Sequence, residues 1–267
     1  MHNAPPARLK EVKVVDTNES NILRYGVCGY RDVKRSGYPE KLKWLKERFQ
    51  EGLTIKTLVH AQGGNQGMIE YVPAEAGWRP VDAPGFMLIH CLFVGFKRKY
   101  KGKGYATLLL NACHEDAQAR KKRGICVVTR QGSFMVGKEI FVKRGFEVVD
   151  RTPPDFELLA KKFVDEAPTP RFKKGIRDKA AQYPDELTII RSDQCPYSVK
   201  NVREICETAK DMYEINPKVI DLNRPEQAQN DVPCAVGNFC IVYRGKIVAE
   251  HPISKRRFMN IMEKERK

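Results

Sequence analysis

No two of the eight cysteines, Cys28, Cys91, Cys113, Cys126, Cys195, Cys206, Cys234 and Cys240, stand at CxxC spacing, which removes the simplest structural zinc site and with it any expectation of a bound metal. No apolar run approaches the ~20 residues that a bilayer demands. The opening MHNAPPARLK lacks the apolar core of a secretory leader. The expectation is a cytoplasmic chain with reduced thiols, of which Cys113 and Cys126, set in apolar periodic segments, should be buried. Acidic side chains are in the minority, 33 against 48 Lys and Arg, for a formal charge of +15. Such a surface suits nucleic acid, an anionic membrane or an anionic small molecule. The cations are spread along the whole chain, and none of its basic stretches accompanies a nucleic-acid module such as an RRM or zinc finger. Nucleic acid is therefore not the expected partner, and neither is a membrane.

What is present begins with Leu92 to Leu110, LFVGFKRKYKGKGYATLLL. An apolar strand ends, a lysine-rich turn carries Gly102 and Gly104, and Tyr105 to Ala119 places apolar residues at helical spacing. Glycines two apart remove the side chains that would hold a ligand off the backbone, leaving N–H groups at a helix N-terminus. That is an anion site. Lys97, Arg98, Lys99, Lys101 and Lys103 surround it with charge suited to a diphosphate. A phosphate loop of the ATP-binding kind would need Lys followed by Ser or Thr after its last glycine; here Tyr105 follows Gly104. A dinucleotide fingerprint would need a third glycine, and Ala106 and Thr107 do not supply it.

Lys99-Tyr100-Lys101-Gly102-Lys103-Gly104-Tyr105-Ala106 resembles the acyl-CoA pyrophosphate loop of the GNAT acetyltransferases, Gln/Arg-x-x-Gly-x-Gly/Ala, with Lys99 departing from the first position but keeping its charge. Downstream, the strand Ile125 to Thr129 and the stretch Glu139 to Phe146, EIFVKRGF, resemble the family's following strand, last helix and Gly-Phe ending. The likeness spans roughly residues 10 to 163. It implies an α/β domain with a mixed, splayed β-sheet flanked by helices, acetyl-CoA as acyl donor, no metal, and a small-molecule or peptide amine as acceptor. The backbone of Leu92, Phe93 and Val94 would pair with the pantetheine arm, a form of β-augmentation. That needs the strands near 92 and 127 to part. Lys99 to Ala106 would hold the diphosphate, and Asn111 could reach the cofactor from the helix.

Within Phe86 to Val94, nearly all apolar and so read as a central strand covered on both faces, His90 is the exception. A lone core histidine is often just satisfied by a carbonyl. Its offset of nine residues before Lys99 resembles that of a strand histidine in arylalkylamine-type family members, which implies a general base for the acceptor ammonium. Glu70 is the second candidate, able to bind the amine cation or relay its proton. Many family members have a tyrosine four residues before the Gly-Phe glycine to protonate the leaving thiolate, and here that position is Phe141. Ser133, Tyr71 or Cys91 could substitute, or the thiolate could leave unaided.

Elsewhere in this half the pattern gives a strand at 11 to 15, a short helix from 17 to 24, and a helix from Pro39 to Glu51 with Leu42, Leu45 and Phe49 on one face. A hairpin joins 53 to 60 and 68 to 72 across Gly63-Gly64-Asn65. Residues 73 to 85, with three prolines, read as irregular, and 155 to 163 as a last strand. Tyr38 and Trp44 are candidates for the acceptor side, since the family's early helical region borders it; Trp78 and Tyr71 hint at an aromatic or apolar acceptor and Glu70 and Glu75 at a cation, although core packing would explain the aromatics equally well.

Length favours two domains. We expect boundaries at 1–163 for the acyl-CoA domain, 164–184 for a proline-rich, charged linker, and 185–267 for a second α/β domain. There a strand at 186 to 191, a helix to Met212, a strand at 218 to 222, a hairpin over 239 to 249 and a helix from 255 to 265 give a β-α-β-β-β-α order resembling thioredoxin and glutaredoxin. Cys195-Pro196-Tyr197-Ser198 looks like a monothiol glutaredoxin turn, and a thiol at a helix N-terminus is nucleophilic. Ser198 stands where a resolving cysteine would be. The usual cis-proline has no clear counterpart: Val232-Pro233 lies too early and Gly237 falls nearer that place. VGNFCIVYRGK, Val236 to Lys246, and Ile253-Ser254-Lys255 resemble a YoaP-like module. The leading expectation is an acetyl-CoA-dependent N-acetyltransferase; the alternative is a redox or CoA-binding sensor working through Cys195. Oligomeric state is left open.

Overall fold

The computed structural model describes residues 11–30, 32–95, 98–132 and 134–267. The chain divides into two compact units. The first takes the described residues up to Val33, Lys46–Glu75 and Ala83–Arg171; the second takes Lys34–Leu45, Ala76–Asp82 and Phe172–Lys267.

The first unit is built on seven strands: β1 (Val12–Thr17), β2 (Thr54–His60), β3 (Gly64–Pro73), β4 (Phe86–Val94), β5 (Gly124–Arg130), β6 (Glu147–Thr152) and β7 (Phe156–Lys162), in the order β1-β2-β3-β4-β5-β7-β6. Neighbours run antiparallel except β4 and β5, which are parallel. A parallel pair needs a crossover, and α3 (Tyr105–Ala119) supplies it. Its buried stripe, Tyr105, Ala106, Leu109, Leu110, Cys113 and Ala117, follows the helical period and packs with Leu58, Ile69, Tyr71, Met87, Ile89 and Leu92 of the sheet. The result is a mixed α/β unit with a large mixed sheet flanked by helices. Two short helices, α1 (Ile22–Tyr25) and α4 (Glu139–Val142), complete it, and α2 (Tyr38–Gln50) passes from the second unit into the first at Lys46.

Two register features matter for function. Glu70 faces Cys91 across β3 and β4, but Tyr71 faces Ile89, so His90 is an extra residue on β4, a β-bulge. Ile89 and Leu92 both join the cluster against α3, which leaves His90 and Cys91 on the opposite face of the sheet. The pairing of β4 with β5 runs from Phe86 and Gly124 to Ile89 and Val127 and stops there, although both strands continue. Beyond the bulge β4 becomes half open, with Cys91 and Phe93 exposed, which corrects the expectation of a strand covered throughout.

The second unit is built on a four-stranded sheet, β8 (Thr188–Arg191), β9 (Lys218–Asp221), β10 (Phe239–Tyr243) and β11 (Lys246–Ala249), ordered β9-β8-β10-β11, with β8 and β9 parallel and the rest antiparallel. Three helices accompany them: α5 (Pro196–Tyr213), α6 (Pro225–Asn230) and α7 (Lys255–Glu265). The order is thus β-α-β-α-β-β-α. Helix α6 escaped the sequence pattern because six residues give too little periodicity, although Pro225 at its first turn and the Gln227 side chain accepting from the Arg224 N–H define its start. Residues 164 to 184 include a 3₁₀ helix, Arg177–Gln182, and bury Ala167, Phe172, Ile176 and Ala180.

Candidate functional site

At the end of β4 the chain makes one 3₁₀ turn, Arg98–Tyr100, and then the glycine loop. Gly102 (φ +68) and Gly104 (φ +78) both adopt the left-handed conformation that glycine accepts at no cost. A Cβ built on either meets nothing within 4 Å, so the loop's surface is open on the side that side chains would occupy. The Gly104 carbonyl accepts from the N–H groups of Thr107 and Leu108, leaving the earlier donors of α3 at an open helix N-terminus. Lys101 and Lys103 are exposed beside it, while Tyr100, Tyr105 and Ala106 turn inward and anchor the loop to the core.

Tyr100 is held from behind. Its ring packs on His60 at 4.9 Å, and the His60 Nδ1 accepts from the backbone N–H groups of Gln62 (3.1 Å) and Gly63 (3.2 Å) in the β2–β3 turn. An imidazole accepting at Nδ1 carries its proton on Nε2, which meets the Glu11 carboxylate at 3.1 Å.

Beside the paired stretch of β4 and β5 lies a cleft of about 380 Å³, lined in part by Ile89, Asn111, His114, Ile125, Arg144 and Lys161. The Arg144 guanidinium donates to the Thr107 hydroxyl at 2.6 Å, tying the segment after α4 to the first turn of α3. Burial, with the Lys161 ammonium nearby, pulls the His114 imidazole below its ordinary pKa. Asn111 was anticipated from the sequence. Lys143, Arg144 and Lys161, which also line the cleft, were not singled out; the first two lie in the Glu139 to Phe146 stretch.

The bulge brings the two candidate bases together. His90 Nδ1 stands 3.4 Å from Glu70 Oε1, and neither side chain is more than 1% exposed. Tyr71, next in sequence to Glu70, points to the other face, where its phenol lies beside Cys113 and Asp116 and burial drives its pKa up. Phe141 is 1% exposed and packs edge-to-face on Phe146 at 5.6 Å. Ser133 and Lys97 lie outside the described residues. Tyr38 and Trp78 are shut in the second unit, Trp78 against Trp44 with ring centroids 5.3 Å apart. Cys195 caps α5 and is partly exposed. No cluster able to hold a metal ion occurs among the described residues. None of their helices is long and apolar enough to cross a membrane.

Fold and site together define a mixed-sheet α/β protein with an open glycine loop on the strand of a parted parallel pair. In sequence the chain is 29% identical over 252 residues to the uncharacterized N-acetyltransferase YoaP of Bacillus subtilis (strain 168), an alignment covering 93% of this chain and 97% of that one. The YoaP-like family model matches residues 218–260. Among solved structures, the chain is similar to the GNAT family N-acetyltransferase YhbS of Escherichia coli in complex with CoA, at TM-score 0.40 and 13% identity over 65% of this chain and 94% of that one. It is also similar to a GNAT family acetyltransferase from Brucella melitensis in complex with acetyl-CoA, at TM-score 0.38 and 14% identity over 59% and 92%.

Proposed function

We propose that this chain is an acetyl-CoA-dependent N-acetyltransferase that transfers the acetyl group directly to an amine of a small molecule or peptide. The observation that carries the reading is the end of β4–β5 pairing at Ile89 and Val127, one residue before the buried His90–Glu70 pair and on the strand that leads into the open glycine loop. The edge of Leu92, Phe93 and Val94 that lies beyond the last β4–β5 pair would take the pantetheine amides as an added strand. Loop and helix N–H groups, with Lys101 and Lys103, would take the diphosphate. The donor supplies an activated thioester. His90 removes a proton from the acceptor ammonium so that the nitrogen lone pair can attack, and Glu70 orients the ring through Nδ1 and compensates the charge it gains. The thiolate departs without a tyrosine acid, a small cost for a leaving group that titrates not far above neutral.

The strand order β9-β8-β10-β11, with one parallel and two antiparallel pairings, supports reading the second unit as thioredoxin-like. We assign the activity to the cytoplasm, since so highly charged a donor does not cross a bilayer unaided. The test is thiol release from acetyl-CoA across a panel of primary amines. Turnover that disappears in His90→Ala while acetyl-CoA affinity is kept supports the reading; no turnover with any amine, and no acetyl-CoA binding, overturns it.

A further inference from the structure

The second unit contains a short stretch, Ala76–Asp82, that sequence places between the strand bearing Glu70 and the strand bearing His90. Two of its backbone carbonyls, at either end, accept from other parts of the unit. The Gly77 carbonyl accepts from Gln229 Nε2 at 2.9 Å, and the Pro80 carbonyl from the Lys173 N–H at 2.9 Å. Arg79 is 5% exposed, and its guanidinium donates to the Trp78 carbonyl at 2.7 Å and to Gln194 Oε1 at 2.9 Å. Gln194 Oε1 also accepts from the Asn238 amide, and the Asn238 carbonyl accepts from the Ser192 N–H at 3.0 Å. The bonds of Arg79, Gln194 and Asn238 join three pieces, the stretch itself, the turn before α5 that carries Cys195, and the loop before β10, while Gln229 of α6 and Lys173 hold the two ends of the stretch. At the centre is Gly237 (φ +71), where a Cβ would stand 2.6 Å from the Trp78 carbonyl oxygen and 2.8 Å from Arg79 Cα. Glycine is required there by the close approach of the other backbone. Trp78 is wholly buried against Trp44, and the Lys41 ammonium lies 4.2 Å from the Trp44 ring.

Backbone carbonyls met by side-chain and main-chain donors, a buried arginine held by a polar side chain and a large aromatic buried against a second ring are the features of a bound peptide. We infer that the groove between the Cys195 turn and the Gly237 loop is a peptide-binding site occupied by the chain's own residues Gly77–Pro80, with Arg79 and Trp78 as anchors. The second unit thereby acts as a clamp on that stretch. This gives the turn a use that does not call on a thiol: Ser198, in the place of a second cysteine, is buried with its hydroxyl committed to the carbonyls of Ser192 (3.1 Å) and Cys195 (2.8 Å).

Trp44 and Trp78 are the only tryptophans in the chain, so intrinsic fluorescence of the full-length protein reports this groove directly. Arg79→Ala and Gly237→Ala should each red-shift the emission, raise acrylamide quenching severalfold and speed hydrogen exchange at the Lys173 amide, with the far-UV circular dichroism kept. Arg79→Lys should fall between them and the parent. Unchanged quenching and exchange in both variants would overturn the inference. So would a cooperative loss of secondary structure, which would make the stretch part of the core and not a ligand of the groove. One further consequence rests on the acetyltransferase reading: Arg79→Ala should lower kcat with acetyl-CoA affinity unchanged. Absence of turnover in the parent would count against that reading alone, because fluorescence and exchange decide the clamp independently.

Discussion

His90 and Glu70 sit on one face of adjacent strands, 3.4 Å apart and closed off from solvent, because a single extra residue on β4 shifts the register between them. The arrangement gives the two side chains different jobs. His90→Gln should lower kcat about 10²- to 10⁴-fold, the range for losing a general base, with little change in acetyl-CoA affinity. Glu70→Gln should lower kcat less, because the imidazole keeps its place and loses only its charged partner. Steady-state kinetics of thiol release measure both; equal losses in the two variants would make Glu70 the group that handles the proton.

Phe141→Tyr tests whether the tyrosine that many GNAT acetyltransferases have at this place in the resembled pattern can be supplied. The ring is buried against Phe146, so an added hydroxyl enters an apolar cluster. The expected outcome is a loss of about 1–3 kcal/mol of stability, the usual cost of an unpaired buried polar group, with no gain in kcat. Thermal unfolding and turnover of the same preparation decide it.

Arg144→Ala should weaken acetyl-CoA binding by roughly three- to tenfold, as expected when one charge-assisted contact is lost near an anionic ligand. It also breaks the 2.6 Å bond to Thr107 at the first turn of α3. Thr107→Val separates the two effects: it removes that bond and keeps the charge. Calorimetry should show the smaller loss in Thr107→Val.

Glu157 accepts from Lys138 and Arg151, and the Lys138 bond comes first in holding its carboxyl below the usual range. A depressed folded-state pKa contributes stability that is present above the unfolded value and lost as pH falls through the folded one. Lys138→Met should therefore narrow the difference in thermal stability between neutral pH and pH near 4. An unchanged acid profile would mean that the pair is screened by solvent.

The strand, the glycine loop and α3 were legible because each rests on local signals: an apolar run, paired glycines and a helical stripe. Asn111 followed from the same helix. The meeting of His90 with Glu70 was not legible, since a bulge is one residue of register and leaves no periodic mark; both residues were named, but as alternatives. Strand β6, a half-buried edge strand with Asp150 and Arg151 in its midst, gave no clean alternation. Trp78 and Tyr38 were noticed as aromatics but placed toward the acceptor, because nothing local told that Gly77–Pro80 runs beside Gly237, some 160 residues later.

The central claim is tested most directly by titrating acetyl-CoA into the wild type, Gly102→Glu and Gly104→Glu by calorimetry, with Gly104→Asn as the control for a side chain at positive φ. An added Cβ meets nothing at either glycine, so the proteins should stay folded while a carboxylate occupies the diphosphate's place. The account predicts saturable binding to the wild type, retained binding in Gly104→Asn, and none in the two glutamate variants. Equal affinity in all four proteins, or no binding to the wild type, would contradict it.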